Sequence, residues 1–232
     1  MPNYCNCSLT LSVDDENPLA KDILLNFYNN NKKEDSLLSF SKEVPMPESE
    51  NDNWHEWCIE NWGTKWEPLY VDVEENYEDM PTPSLSYSFD TAWSPPINWL
   101  GKISAKYPEI TFFIEYSEPG MDMYGESRYT NGELTYDLSS PLSLYNWSKI
   151  DVSKLDEIIL KKLDTLKKDE ENDDDFIEDV IYEYSDGEHI DNINEKVKER
   201  IGHIVTSKYN NGANYLNLEI NCKGNKTTKI EI

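Results

Sequence analysis

Positive charge is scarce in this chain. Lys and Arg number 21 against 46 Asp and Glu, a formal net charge of -25 over 232 residues, with a pI near 4.3 and a mean hydropathy of -0.74. Such a surface repels nucleic acid and anionic lipid, whose binding rests on Lys and Arg neutralising phosphates, and favours basic partners. Histidine is rarer still: His55, His189 and His203 are scattered and form no zinc-type spacing. The four cysteines give no disulfide framework, because Cys5 and Cys7 stand two apart on an expected strand while Cys58 and Cys222 are remote. Strand alternation puts Cys5 and Cys7 on one face, as buried structural thiols, and no neighbouring residue completes a metal site. No apolar run approaches the roughly 18 residues that cross a bilayer, and the N-terminus lacks a basic and then apolar signal region, so a cytoplasmic protein is expected. A G-x-S-x-G elbow, a P-loop and a dinucleotide fingerprint are all missing, and with them the usual signs of acyl transfer, nucleotide hydrolysis and hydride chemistry.

Aromatic residues are plentiful, at 12% with 7 Trp and 15 Tyr, enough apolar area to build a core. Leu9, Leu11 and Val13 alternate with polar residues as a strand, and Asn17-Pro18 opens a helix carrying Leu19, Ile23, Leu24 and Phe27. Leu38 and Phe40 predict a second short strand. Trp54, Trp57, Cys58 and Trp62 suit one side of a short helix stopped by Gly63, with Trp66 in the following loop. Leu69, Val71 and Val73 pair with Leu85, Tyr87 and Phe89, and Ser94-Pro95 predicts the cap and first turn of a helix bearing Ile97, Leu100, Ile103 and Tyr107. Thr111 to Tyr116 is a strand, and 126–138 a hairpin turning at Asn131-Gly132. Helices recurring among antiparallel strands predict an α+β, ferredoxin-like sandwich over residues 1–139, one sheet with helices on one face.

Residues 140–232 read differently, as an acidic, mainly helical appendage. Leu155, Ile159, Leu163 and Leu166 make one helix behind a Ser153-x-x-Asp156 start. Phe176, Ile177, Val180, Ile181 and Tyr184 make a second, and Ile190, Ile193, Val197, Ile201 and Ile204 a third. A closing hairpin is expected from Leu216, Leu218, Ile220, Ile230 and Ile232, turning near Gly224.

Five short motifs occur in order: Met1-Pro2-Asn3-Tyr4-Cys5, Val44-Pro45-Met46-Pro47, Glu60-Asn61-Trp62-Gly63-Thr64-Lys65-Trp66, Thr91-Ala92-Trp93-Ser94-Pro95-Pro96 and Glu118-Pro119-Gly120-Met121. With them residues 1–138 resemble the Api92-like family of phage and mobile-element proteins, with its YubB-type ferredoxin-like domain. The resemblance implies that fold without an iron-sulphur cluster, and a phage or prophage setting. It brings no reaction and no catalytic residues. Tyr4 stands where the family pattern often has Trp, and Cys7 adds a second thiol.

The expected function is therefore non-enzymatic, without cofactor or metal. The partner expected is a protein with a basic surface, a host nucleic-acid-binding defence factor of the CRISPR or restriction type, blocked by an acidic surface that mimics nucleic acid. Neither nucleic acid nor membrane is bound directly, and a homo-oligomer is a further option. The partner-binding candidates are Trp62, Lys65, Trp66, Trp93, Glu118, Asp122 and Tyr124, on the loops 61–66, 93–96 and 118–125, where such residues commonly anchor interfaces. Asp173, Asp174, Asp175, Glu178 and Asp179 join them from the acidic stretch 169–188; a second acid cluster spans 72–79. Glu115 and Glu118 are the carboxylate pair to inspect for catalysis. The alternative is a small-molecule binder or enzyme with a pocket among the tryptophan loops. Charge-led specificity is expected in the appendage, so that removing residues 140–232 would leave a folded domain that binds nothing.

Overall fold

Cys5, Cys7, Leu9 and Leu11 turn inward and are buried, while Tyr4, Asn6, Ser8 and Thr10 turn outward, and this period-2 pattern makes strand β1 (Tyr4–Ser12). The computed structural model describes residues 3–76, 83–165, 173–185, 190 and 192–209. The expected closing hairpin, Leu166, residues 77–79 and the side chains of Asp173, Asp174 and Asp175 lie outside what it describes. The chain divides into two compact units, Met1–Pro141 and Leu142–Ile232.

In the first unit, β1 is followed by helix α1 (Ala20–Asn31), helix α2 (Trp54–Trp62), strands β2 (Leu69–Asn76) and β3 (Ser84–Ala92), helix α3 (Ile97–Lys106) and strand β4 (Thr111–Glu118). Strands β5 (Met123–Thr130) and β6 (Glu133–Pro141) complete it, joined at Asn131 and Gly132, which both take positive φ as a tight hairpin of the Asn-Gly type requires. The six strands form one sheet in the order β2-β3-β1-β4-β5-β6, every neighbouring pair antiparallel. Its first four members, β2-β3-β1-β4 linked through α1 and α3, reproduce the split β-α-β arrangement of the ferredoxin-like fold, and β5 and β6 widen it beyond β4.

One sheet face carries the core. Leu9 lies between Tyr87 and Ile114, and Leu11 between Leu85 and Phe112, all buried. Helices α1 and α3 press Leu24, Phe27, Trp99, Leu100 and Ile103 onto this core. The Phe27 ring meets Tyr107, Phe112 and Tyr87 edge-on, with centroids 5.1, 5.6 and 6.5 Å away. Full burial of such a side chain stabilises by about 1.5–3 kcal/mol.

Two local expectations are corrected. Leu38 and Phe40 belong to no strand; Phe40 opens a single 3-10 turn (Phe40–Lys42). Leu38 and Phe40 are buried, but so is Ser39 between them, so burial does not alternate as in a strand, and the backbone pairs elsewhere. The Glu67 carboxylate accepts the backbone N–H groups of Phe40 (2.6 Å) and Ser41 (3.1 Å), the Ser39 hydroxyl (3.1 Å) and the Lys33 ammonium (3.2 Å). Nor does Ser94 cap α3, which begins at Ile97: its hydroxyl donates to the Gly63 carbonyl at 2.6 Å and ties two loops together.

The second unit contains helices α4 (Leu142–Ser148), α5 (Val152–Thr165), α6 (Asp173–Tyr184) and α7 (Asn194–Tyr209). Leu155, Ile159 and Leu163 of α5 meet Phe176, Ile177, Val180 and Ile181 of α6 and Val197, Ile201 and Ile204 of α7 in a second core. The start of α5 is set by Asp151, not by a Ser153–Asp156 box: its carboxylate accepts the N–H groups of Ser153 (3.0 Å) and Lys154 (3.2 Å). Ile190 and Ile193 precede α7 and do not lie within it.

Candidate interaction surface

The three loops singled out in the sequence meet at one end of the sheet, stitched to the ends of β1 and β3. The Thr64 hydroxyl donates to the Ala92 carbonyl (3.0 Å) and accepts the Ala92 N–H (3.2 Å). Trp93 N–H donates to the Asn3 carbonyl at 3.0 Å, and a Cβ placed on Gly120 would lie 2.5 Å from Asn3 Nδ2 and 3.0 Å from Glu118 Oε1. Gly63 sits at φ +89°, where a Cβ would press on Pro95 O and Ile97 N at 3.0 Å.

The tryptophans divide between core and rim. Trp62 is 5% exposed, packs against Phe40 and Trp57, and donates its indole N–H to the Val44 carbonyl at 2.9 Å, so it is a core residue. Trp66 is half-buried, its indole N–H without a partner among the described residues, and the Lys65 ammonium lies 5.3 Å from its ring and 5.9 Å from that of Trp54. Trp93 is 43% exposed and at φ 69°; Tyr70, 75% exposed, is at φ 52°. A left-handed backbone is uncommon for bulky residues and costs on the order of 1–3 kcal/mol. Tyr4 meets the Tyr70 ring edge-on at 6.3 Å, and Met121 is exposed beside them in sequence to Gly120. Tyr70 and Tyr4 were absent from the expected site; the unpaired bulge in β2 between Leu69 and Asp72 that presents Tyr70 leaves no mark in the residue pattern.

Glu118 is 2% exposed. One carboxylate oxygen accepts the Gly120 N–H at 3.0 Å, and the other is buried without a partner among the described residues. Glu118 does not pair with Glu115. Three residues apart on one strand they turn to opposite faces, and the carboxylate opposite Glu115 is Glu126 on β5. Tyr124, buried on β5, reaches both with its hydroxyl, Glu126 at 2.5 Å and Glu115 at 3.0 Å, while the Tyr136 hydroxyl donates to the second Glu126 oxygen at 3.1 Å. Partial desolvation, and then the Glu126 carboxylate, raise the Tyr136 phenol above its ordinary value. Asp122 takes a left-handed backbone at φ 52° at the start of β5.

The outward face of the sheet is exposed at Tyr4, Asn6, Ser8, Ser88, Glu115 and Arg128, but not at Tyr124, which is 2% exposed. Strand register sets it in rows: Glu74, Ser86, Thr10, Phe113, Arg128 and Tyr136 in one, and Asp72, Ser88, Ser8, Glu115, Glu126 and Leu138 in the next. Arg128 is the one basic residue in all six strands, and its guanidinium stacks 5.6 Å from both the Phe113 and Tyr136 rings.

In the second unit Glu178 is exposed, whereas Asp179 is paired with Lys162 at 2.9 Å. Cys5, Cys7 and Cys58 are free and buried; burial, then the hydrogen bond to Cys5, pushes the Cys7 thiol well up. Among the described residues no group of three or more His, Cys, Asp or Glu is placed to hold a metal ion, and no helix is long and apolar enough to cross a membrane. A cleft of about 680 Å³ lies beside β2, lined by residues 33–39 and 67–71, and not among the tryptophan loops.

Residues 61–146 match the family described as the ferredoxin-like domain in Api92-like protein. Among solved structures, Api92 from Yersinia pseudotuberculosis is similar at 21% identity over 38% of this chain and 30% of that one, with a TM-score of 0.33. The matched part of this chain thus spans under a third of that protein. None of the proteins of curated function matches. Two of the five motifs, Met1–Cys5 and Val44–Pro47, precede the matched segment, as does β1, the strand that joins β3 to β4 at the centre of the sheet. Over residues 61–146 the chain is thus similar to the ferredoxin-like domain of Api92-like proteins.

Proposed function

We propose that this protein works by binding and not by catalysis, as an acidic decoy that occupies the nucleic-acid-binding groove of another protein, and that its targets are host defence factors of the CRISPR or restriction type met by a phage or mobile element. One observation carries this reading: strand register places Asp72, Glu74, Asp90, Glu115 and Glu126 on the outward face of the sheet, where Arg128 is the lone basic residue from the six strands. Sheets of related topology bind single-stranded RNA with aromatic residues on an open face. Here aromatic residues are kept, in Tyr4, Phe113 and Tyr136, but the surrounding charge suits a cationic surface. A small-molecule role has less support, since the Glu67 carboxylate that faces the cleft beside β2 is already engaged by Lys33 and the 39–41 backbone.

The test is capture from a host lysate on the immobilised full-length chain, followed by elution with duplex DNA or salt. The expected eluate is a nucleic-acid-binding protein whose retention weakens steeply as salt rises and which DNA displaces. Retention that neither salt nor DNA alters would remove the decoy reading.

A further inference from the structure

We infer that the outward face of β1 and β3 is a seat for a basic α-helix of the partner; this rests on the acidic-decoy reading and gives it a place and a shape. Along these two strands the outward side chains are small and hydroxylated: Ser8, Thr10 and Ser12 on β1, facing Ser88, Ser86 and Ser84 on β3. Larger residues stand on either side. Tyr70, Asp72 and Glu74 rise from β2, and Phe113 and Glu115 from β4. The result is a shallow trough with a hydroxyl floor and acidic walls.

Its dimensions select the occupant. From β2 to β4 there are three inter-strand steps, about 14 Å, against about 10–12 Å for an α-helix with its side chains. Tyr4–Ser12 extends roughly 27 Å, the length of about 18 helical residues. An extended peptide gains nothing here, because β1 and β3 are interior strands whose backbone groups are spent on their neighbours on both sides. Asp90 at one end, bonded to Asn6 at 2.6 Å, and Glu126 beyond Glu115 continue the negative walls, and no basic side chain comes from β1, β2, β3 or β4 to neutralise them. At the trough's end Tyr4 and Tyr70 offer an apolar anchor beside Trp93. The helix is held by Lys or Arg along its flanks and small residues against the floor.

The probes are two fluorescent peptides of about 18 residues with identical composition, five Lys among Ala and Leu, one an uninterrupted helix and the other broken by moving its two prolines from the ends to the centre. Anisotropy with the full-length protein at low salt should show the intact helix binding about tenfold more tightly than the broken one. Ser8→Trp fills the trough without changing charge at an exposed position, and should weaken the intact helix about tenfold. Asp72→Asn with Glu74→Gln should weaken it several-fold more than Glu48→Gln with Asp52→Asn, the same charge change on the exposed 48–53 segment. Circular dichroism and melting of each variant verify the fold. Equal binding of the two peptides, indifference to Ser8→Trp, or equal losses from both neutralised pairs overturns the trough while leaving the acidic decoy standing. No binding of either peptide at low salt overturns both. Self-association that Ser8→Trp abolishes assigns the trough to a second copy, which also overturns the partner helix.

Discussion

At the level of single residues, the inward positions were readable and their exceptions were not. Parity alone placed Cys5, Cys7, Leu9 and Leu11 on one side of β1, because burial on one face imposes period 2. No such rule separates Trp62 from Trp93: one is enclosed by Phe40 and Trp57, the other lifted into solvent by a left-handed backbone, and both decisions are made by residues distant in sequence. Gly63 is the glycine whose role was legible in advance, as the stop after Trp62. Its φ of +89° and the Pro95 and Ile97 backbone atoms 3.0 Å from a notional Cβ make it intolerant of any side chain. Gly63→Ala should lower stability by about 1–3 kcal/mol, seen as a fall in the melting temperature with unchanged secondary structure. A variant that melts with the parent would show that the 63–66 loop rearranges without cost.

Among elements, the sheet and its helices followed from periodicity, and the misread segments are those where a distant side chain replaced the local pairing. Leu38 and Phe40 alternate in sequence with polar residues, but Ser39 is buried with them and the donors of Phe40 and Ser41 go to Glu67, a residue 27 and 26 positions further on. No reading of 36–42 by itself contains that information. Glu67→Gln keeps the shape but loses the charge, so one N–H or hydroxyl is left facing an amide hydrogen. Charge-assisted bonds are worth about 1.5–3 kcal/mol each, and the solvent access of this carboxylate, with a side-chain exposure of 34%, reduces the loss to the lower part of that range. Hydrogen exchange of the Phe40 and Ser41 amides is the specific measure. They should exchange far faster in the variant, while amides of β1 stay protected; unchanged protection at both would remove Glu67 from this role. The start of α5 follows the same logic at shorter range, with Asp151 just outside the window where a capping box was sought.

Within the helical unit, charge couples to pH with a definite sign. Hydrogen bonds from Lys161 and then Lys162 hold the Glu183 carboxyl below its ordinary value of 4.5. A depressed carboxyl contributes stability that is complete above the unfolded value and is lost as pH falls through the folded one. Acidification below about pH 4.5 should therefore loosen the α5–α6 contact, and Glu183→Gln should flatten that part of the profile, as read by far-ultraviolet dichroism against pH. An identical acid transition in the variant would assign the loss to other carboxylates. The exposed position of the group keeps the effect small.

For the chain as a whole, the sequence located acidity in segments, 72–79 and 169–188, and so pointed to the appendage as the seat of specificity. Spatial arrangement redistributes that weight. Asp179 and Glu183 are engaged by Lys161 and Lys162, and Asp156 by Arg200 at 2.5 Å, so part of the second unit's charge is spent internally. In the first unit Asp72, Glu74, Glu115 and Glu126 come from three different strands, and only register assembles them on one face. Linear clustering could not reveal a surface built from every second residue of separate strands. The expectation that binding disappears without residues 140–232 is accordingly reversed: a chain ending at Pro141, where the first unit closes, should keep most of its affinity for the intact basic helix. Titration of that peptide into the shortened chain, with its fold verified by dichroism, measures it. Affinity within about threefold of the full chain places recognition on the sheet, whereas a folded but inert fragment returns it to the helices.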